Sequence, residues 1–200
     1  MMRLVLALAA VAFAAVGCGP TTGITKPANT SGSVSTSASI TATSQPQVSS
    51  TLTAPHPPPN HWNDGTSYDP CLTYTADEIR SWGVDPSQVV DRGAEDRQLR
   101  GCRWSAGGWS IELSVANTTV ESYLDPGLFD NPRSLTVAGL QAVMYQGGVP
   151  GAPACTVVLP SQKSTVGVVV VNADPKNTPK LDVCDKALEV ATAVAPTLPK

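Results

Sequence analysis

Cysteine is the residue type with the clearest chemistry in this chain, and its five copies fall into two groups. Cys18 ends an apolar run, a position where a thiol is suited to lipidation. The other four lie in the charged, C-terminal part of the chain. An even number of cysteines in an exported protein is typical of a disulfide framework. These four are Cys71, Cys102, Cys155 and Cys184.

The N-terminus predicts a lipoprotein signal peptide over residues 1–17. Arg3 supplies a positive charge, and the apolar run from Leu4 to Val16 is shorter than the roughly 20 residues of a membrane-spanning helix but suits a signal peptide. Gly17 is the small residue that precedes the modified cysteine of a lipobox. We therefore expect Cys18 to be acylated and to hold the protein at the extracytoplasmic face of the cell membrane, because two or more acyl chains anchor stably. The alternative is an ordinary secretory signal with an incidental Cys18.

The four downstream cysteines permit three disulfide connectivities, and the sequence does not choose among them. Their wide spacing does not resemble that of a zinc site. Our working hypothesis pairs them in sequential order, Cys71 with Cys102 and Cys155 with Cys184. On the chain-entropy model each bridge closes a loop of about 30 residues and contributes roughly 3–4 kcal/mol.

The supply of residue types limits the catalysis that the C-terminal part can perform. A nucleophilic Ser or Cys needs a base, most often His, and no histidine follows His61. We expect His56 and His61 to be solvated rather than metal ligands, because no Cys, Asp or Glu stands at ligand spacing beside them. The sequence therefore predicts no catalytic residue, no metal site and no cofactor.

Paired carboxylates are the acid–base chemistry that remains, as in glycosidases. A carboxylate-dependent cell-wall hydrolase or modifying enzyme is therefore the alternative function. Acidic residues scattered on strand edges and turns are usually solvated, so we do not expect the acidic candidates of this chain to be catalytic. The candidates are Glu112, Glu121, Asp125 and Asp130.

The tryptophans provide one candidate binding surface. We expect Trp104, next to Cys102, to be a core ring packed on a disulfide. Trp109 lies near the tip of a predicted hairpin, where an exposed indole ring could stack on a glycan or a partner. Arg103 points away from the face of Cys102 and Trp104, so we expect it to be solvated.

The charge distribution excludes nucleic acid as a partner. Of the 13 Lys and Arg residues, only Arg3 and Lys26 precede residue 64, which leaves 11 against all 16 Asp and Glu residues and a net charge of −5 beyond that point. A domain with this balance has no electrostatic means of holding a phosphate backbone.

Composition divides the chain into a signal peptide, a tether and a domain. Residues 18–67 begin with the lipidated cysteine and continue as a Ser/Thr/Pro-rich segment that has too few large apolar residues to fold. Such a coil spans on the order of 40 Å. We expect the chain to begin docking at Trp62 and the folded domain to occupy residues 68–200.

Helices are expected at both ends of this domain. Thr75 and Glu78 match a capping box, which predicts a short helix that Gly83 ends. Asp182 is placed to cap a C-terminal helix whose apolar residues recur at helical spacing. A further helical turn is expected between Val120 and Leu124.

Strands are expected between these helices. Gln98–Ser105 and the segment after the turn Ala106-Gly107-Gly108 alternate as a hairpin. Four more predicted strands follow in two hairpins, the last with a run of four valines that suits a central strand covered on both faces. They cover 135–137, 141–146, 155–159 and 165–172. The fold class is therefore α+β, an antiparallel sheet with N- and C-terminal helices packed on it.

The domain carries a series of cysteine-centred motifs: Asp69-Pro70-Cys71, a helix initiated by Thr75, Gly101-Cys102-Arg103-Trp104-Ser105, a later lone cysteine, and Cys184-Asp185-Lys186-Ala187. From Asp69 onward this order resembles a family of actinobacterial lipoproteins of the mycobacterial Lpr/Lpq type, which contain a domain of unknown function. The resemblance implies a cell-envelope lipoprotein with two disulfides. It implies no activity and no catalytic residue.

The sequence therefore favours a non-catalytic lipoprotein that binds an envelope protein or a small or lipidic ligand. A pocket between sheet and helix would favour a ligand, and a flat apolar patch would favour a protein partner. A sensor module acting through a partner is a further alternative, besides the hydrolase.

Overall fold

Seven antiparallel strands form one sheet in this computed structural model, which describes residues 52, 55–147, 152–178 and 180–200. The strands are β1 (Asp85–Asp91), β2 (Arg100–Ala106), β3 (Trp109–Ala116), β4 (Asp130–Val137), β5 (Leu140–Gln146), β6 (Ala154–Ser161) and β7 (Ser164–Asn172). Their order in the sheet is β1-β2-β3-β7-β6-β5-β4. Two meanders, β1 to β3 and β4 to β7, thus meet where β3 pairs with β7.

Short helices and one longer helix complete the fold. They are α1 (Pro70–Thr73), α2 (Ala76–Ser81), α3 (Arg92–Glu95) and α4 (Val183–Val194), with 3₁₀ turns at Val120–Leu124 and Ala195–Thr197. The apolar run, Cys18 and most of the tether lie outside the described residues. Among the described residues, no helix has the length and apolar character that crossing a bilayer requires.

The predicted helix ends are confirmed. Thr75 and Glu78 form the complete capping box at the start of α2. Gly83 follows that helix at a φ of 92°, a left-handed value that glycine adopts without steric cost. Asp182 caps α4 by accepting hydrogen bonds from two backbone N–H groups.

The predicted hairpin of β2 and β3 is also confirmed. Trp104 pairs with Ile111 and Cys102 with Leu113, and all four side chains are fully buried. They belong to the main core between the sheet and helices α1, α2 and α4. Alternation of apolar and polar residues along β3 therefore placed its buried face correctly.

Both disulfides follow the sequential hypothesis. Cys71 is bonded to Cys102, and Cys155 to Cys184. The first joins α1 to β2 and the second joins β6 to α4, so each links a helix to the sheet. The α+β prediction is confirmed, with β structure predominant.

The two outer strands were missed or cut short. No strand was predicted in the segment that forms β1, and β4 begins at Asp130 rather than Leu135. Each outer strand contains a proline, Pro86 in β1 and Pro132 in β4, beside a shift in strand register. Edge strands need no continuous apolar face, and proline with a bulge blocks pairing to another sheet.

Val168–Val171 was expected to be covered on both faces of a central strand. The position is confirmed, since β7 is the fourth of the seven strands. The predicted coverage of both faces of this strand is wrong. Val168 and Val170 are fully buried, but Val169 and Val171 on the other face are only partly buried. One face of the sheet is sealed by helices, and the other is partly open.

A chain of hydroxyl groups links the two ends of the domain. The Tyr68 hydroxyl lies 2.9 Å from that of Tyr74, which lies 2.9 Å from the hydroxyl of Thr197. Burial raises the pKa of both tyrosines. A buried hydroxyl needs such a partner, so this chain fixes the N-terminal helices to the C-terminal turn.

Part of the predicted tether, residues 55–67, contacts the domain. The docked part begins at or before His56, not at Trp62, which is half exposed. His56 is not solvated, since only 11% of its side chain is exposed. Its Nδ1 lies 2.8 Å from Asp91 and its Nε2 lies 3.2 Å from Asp69.

Further along, polar side chains hold this segment to the strand ends. Asn117, directly after β3, donates a hydrogen bond to the carbonyl of His61 and accepts one from the N–H of Gly65. The Thr66 carbonyl accepts a hydrogen bond from the buried guanidinium of Arg100. Composition alone did not reveal this docking, because the contacts pair polar groups rather than bury a large apolar surface.

We predict that His56→Ala releases the segment around it. Loss of both carboxylate contacts should speed amide hydrogen exchange across residues 55–63 by tenfold or more, with exchange in β3 and β7 unchanged. Hydrogen exchange with mass spectrometry measures this directly. His61→Ala, which removes an exposed histidine from the same segment, is the control. Unchanged exchange in His56→Ala would show that His56 does not hold the segment.

Candidate functional site

The half-open face of the sheet contains a cavity of about 200 Å³, which we call the trough. Strand register places its residues in two adjacent rows. One row runs Arg103, Glu112, Val169, Thr156, Tyr145, and the next runs Gly101, Ser114, Gly167, Val158, Val143. The trough is therefore built by four strands, β3, β7, β6 and β5, with β2 beside it.

Three neighbouring positions of the second row have a small side chain or none. Ser114 pairs with Gly167 across β3 and β7. On the neighbouring strand, Gly101 cannot carry a side chain, since a Cβ there would lie 2.0 Å from the carbonyl oxygen of Leu113. These three positions leave a depression in the middle of the sheet.

An aromatic cluster forms one wall of the trough. Tyr123, from the 3₁₀ turn, stacks on Tyr145 with ring centroids 5.9 Å apart and planes 8° apart. Phe129 packs against Tyr145 at 4.6 Å. Beneath this cluster, Val143 and Val158 form a small second core with the turn. The aromatic wall is consequently well supported.

Hydroxyl groups line the same wall. Tyr145 pairs with Thr156 across β5 and β6, and the Tyr123 hydroxyl lies 3.4 Å from that of Thr165. Burial raises the pKa of Tyr145, and the Thr156 hydrogen bond only partly opposes this. Tyr145 thus contributes a neutral hydroxyl group to the trough.

Glu112 is the acidic residue of the trough, and 14% of its side chain is exposed. Burial raises the pKa of this carboxyl, while the nearby guanidinium groups of Arg92 and Arg103 act in the opposite direction. The Nε of Arg92 lies 2.8 Å from Glu112 Oε2, and Arg92 also pairs with Glu95 of α3. Helix α3 therefore places a cation over the open face of the sheet.

Larger clefts occur elsewhere, including one of about 380 Å³ beside Pro57–Pro59 and one of about 530 Å³ at the C-terminus. Neither is lined by a group whose pKa is shifted. A cleft of about 540 Å³ beside β1 is lined by Asp85, whose pKa is lowered by hydrogen bonds with Ser87, but this carboxylate is fully exposed. The trough contains two partly buried groups with a shifted pKa, Glu112 and Tyr145. Shifted titratable groups in a cleft are a mark of functional sites. The trough is for this reason the stronger candidate.

The predicted binding residue Trp109 lies on the opposite, helical face. Its ring is half-buried against the main core and would contact a Cβ built at Gly83. Trp104 is a core ring, as expected, packed edge-on against Trp82. Binding at Trp109 stays a prediction, and the structure does not bring it near the trough.

The carboxylate candidates do not come together. Glu121, Asp125 and Asp130 are exposed, and Glu112 is the one acidic side chain among the residues that line the trough. Asp125 accepts a hydrogen bond from the N–H of Gly127, which fixes a turn. Glycosidase chemistry needs a second carboxyl group within about 10 Å across the substrate, and the lining provides none.

A second cluster of polar groups surrounds His56, with Asp69 and Cys71 offering possible ligand atoms within 4.8 Å of one another. The sulfur of Cys71 is already bonded to Cys102. Arg100 Nη1 lies 3.3 Å from Asp69 Oδ2, so a cation already faces that carboxylate. The cluster is therefore an ion-pair network that docks residues 55–67.

Glu112 was named only as a carboxylate candidate, and the sequence pattern did not reveal the trough, because Glu112 and Gly167 come together only through the pairing of β3 with β7. Gly167, directly before the four-valine run, was the available signal. A glycine inside a strand marks either a bulge or a close approach of another group.

The fold and site define a domain with two disulfides, one sealed sheet face and one partly open sheet face. A family model described as a protein of unknown function (DUF3558) matches residues 13–197. The chain belongs to this family. No curated protein and no solved structure matches it.

We predict that Glu112 makes the stability of the domain depend on pH. Because its pKa is raised in the folded state above the ordinary value of 4.5, folding favours the protonated form. Its stabilising contribution is present at low pH and is lost as the pH rises from 4.5 through the folded pKa.

Thermal unfolding of wild type and Glu112→Gln should accordingly give a difference in melting temperature that changes with pH in this window and is flat below it. Glu189→Gln, which removes an exposed carboxylate paired with Lys186, is the control for the loss of one negative charge. Parallel curves for wild type and Glu112→Gln would contradict the raised pKa.

Proposed function

We propose that this protein is a membrane-anchored lipoprotein of the cell envelope whose domain binds a small ligand in the trough without catalysis. The proposed anchor is Cys18. The proposal also includes the resemblance to mycobacterial Lpr/Lpq-type lipoproteins. The apolar leader that ends at Cys18 supports it. So do the two disulfides, which are typical of exported proteins. The family match also begins at residue 13, upstream of Cys18.

Gly167 is the observation that carries the binding function. Its φ is not left-handed, and a Cβ there would meet its nearest neighbour, Ser114 Oγ, at 3.5 Å, which is an ordinary contact. Neither backbone geometry nor packing therefore requires glycine. A glycine inside a strand costs roughly 0.5–1 kcal/mol relative to alanine, so this cost is best explained by the space it leaves for a ligand.

The volume and lining of the trough, together with the edges of the sheet, favour a small ligand over a whole lipid, a hydrolase substrate or an added strand. A cavity of about 200 Å³ lies below the roughly 300–1,000 Å³ of sites for drug-sized molecules. The ligand is therefore small, or a small part of a larger molecule, and a whole lipid does not fit. The lack of a second lining carboxylate argues against a hydrolase. The open edges of the sheet argue against docking another strand, because both carry prolines.

The lipid anchor is tested by Cys18→Ser in the native host. We expect wild type to partition into detergent and to carry a diacylglyceryl group on an N-terminal Cys18. Cys18→Ser should lose both the lipid and the detergent partitioning. Gly17→Ala keeps a small residue before the cysteine and should behave as wild type. Wild-type protein without lipid would show that the leader is an ordinary secretory signal.

The ligand is tested by native mass spectrometry of the full chain extracted from its own envelope. Wild type should carry a reproducible extra mass that dissociates on denaturation. Gly167→Val, which fills the trough, should lose it. Ser110→Val enlarges a side chain on the same sheet face outside the trough lining and should keep the extra mass. An absent mass in wild type, or its retention in Gly167→Val, would overturn ligand binding in the trough.

A further inference from the structure

We propose that the trough recognises a neutral, polyhydroxylated ring the size of one sugar unit. This inference rests on the proposed function, since it names the ligand class of the same site. It is carried by three properties of the lining: balanced charge, a high density of hydroxyl groups, and apolar strips between them.

The charges around the trough already compensate one another. Arg92 Nε faces Glu112 Oε2 at 2.8 Å, Arg103 stands opposite Glu112 on β2, and Arg92 also pairs with Glu95. Two cations thus face two anions. An ionised ligand would bring an uncompensated charge into a partly buried site, which is costly. A neutral ligand avoids this cost.

Glu112 nevertheless remains a strong hydrogen-bond acceptor. A carboxylate offers about four lone-pair sites on two oxygens, and Arg92 Nε occupies a position beside only one oxygen. Above its raised pKa Glu112 is ionised, and a hydrogen bond from a neutral hydroxyl to a charged acceptor is stronger than one between neutral groups. The acid therefore provides one directional contact without selecting a cation.

Hydroxyl groups dominate the remaining polar lining. They belong to Ser114, Tyr123, Tyr145, Thr156 and Thr165. Some of them are already engaged, since the Tyr123 hydroxyl lies 3.4 Å from that of Thr165, which donates to the Ala116 carbonyl. Each hydroxyl can both donate and accept and so keeps capacity beyond one contact. The best complement is therefore a ligand whose own groups also do both at several neighbouring positions. A polyol ring has this pattern, whereas amines and carboxylates do not. A site of this kind discriminates strongly against analogues that lack the hydroxyl.

Apolar groups lie between these hydroxyls. Val158 and Val169 flank Gly167 on the floor, with Leu99 and Ala116 at the sides. The two faces of a sugar ring present C–H groups, and its rim presents hydroxyls. With glycine at position 167, the face of such a ring can approach the backbone of β7 directly. The volume of about 200 Å³ admits one ring and not several.

Saturation-transfer NMR on the full chain in detergent tests this ligand class. The probes are glucose, galactose, mannose and arabinose, with glucuronate and glucosamine as charged rings of matched size. We expect transfer to at least one neutral sugar, and at least tenfold weaker binding of both charged rings. Gly167→Val should abolish the transfer, and Glu112→Gln should weaken binding tenfold or more. Ser110→Val and Glu189→Gln should bind as wild type.

The source of the sugar is distinguished by adding the disaccharide of whichever sugar binds. Tighter binding of the disaccharide indicates one unit of a glycan, and weaker binding indicates a free sugar. Equal transfer in wild type and Gly167→Val would overturn the assignment to the trough. Failure of every neutral sugar, together with an extra mass that Gly167→Val loses, would refute the ligand class and leave the proposed function standing. Loss of both results would refute both.

Discussion

The pairing of β3 with β7 is the constraint on which the rest of the structure depends. It joins two meanders into one sheet and runs without a register shift from Trp109–Asn172 to Ala116–Thr165. Because side chains alternate between faces, a slip of one residue would exchange the buried and open faces along both strands. The buried valines of β7 therefore fix the register, and that register brings Glu112 beside Val169 and Ser114 beside Gly167.

The two faces of the sheet are covered by other elements to different extents. On one face, α4 buries Val190, Ala191 and Val194 completely, and each disulfide ties a helix to a strand there. On the other face, α3 and the 3₁₀ turn at Val120–Leu124 cover only the flanks of the sheet. A sheet sealed on one face has its hydrophobic core already, so the opposite face is free to carry polar and small residues. That division lets the trough exist without weakening the main core.

Local patterns predicted the parts of the fold whose causes are local. The alternation of β3, the glycine turn before it and the capping box of α2 each depend on neighbouring residues. The outer strands β1 and β4 lack such a pattern, because hydrogen bonds to one neighbour define them more than burial does. The docking of His56 and the trough were beyond reach for another reason, since both join groups that are distant in the sequence. Sequential disulfide pairing was a choice among three connectivities, and the structure, not the spacing, decided it.

The docking of residues 55–67 also has a mechanical consequence. A pull on the chain from its N-terminal side loads the contacts of His56, which faces Asp69 and Asp91. Asp69 caps the helix that contains Cys71, and Cys71 is covalently bonded to β2. Tension would therefore break the weak ion pairs first and then meet a covalent cross-link before it could peel any strand from the sheet. The ion pairs of His56 would thus yield before the sheet does, and the Cys71–Cys102 disulfide would keep β2 attached.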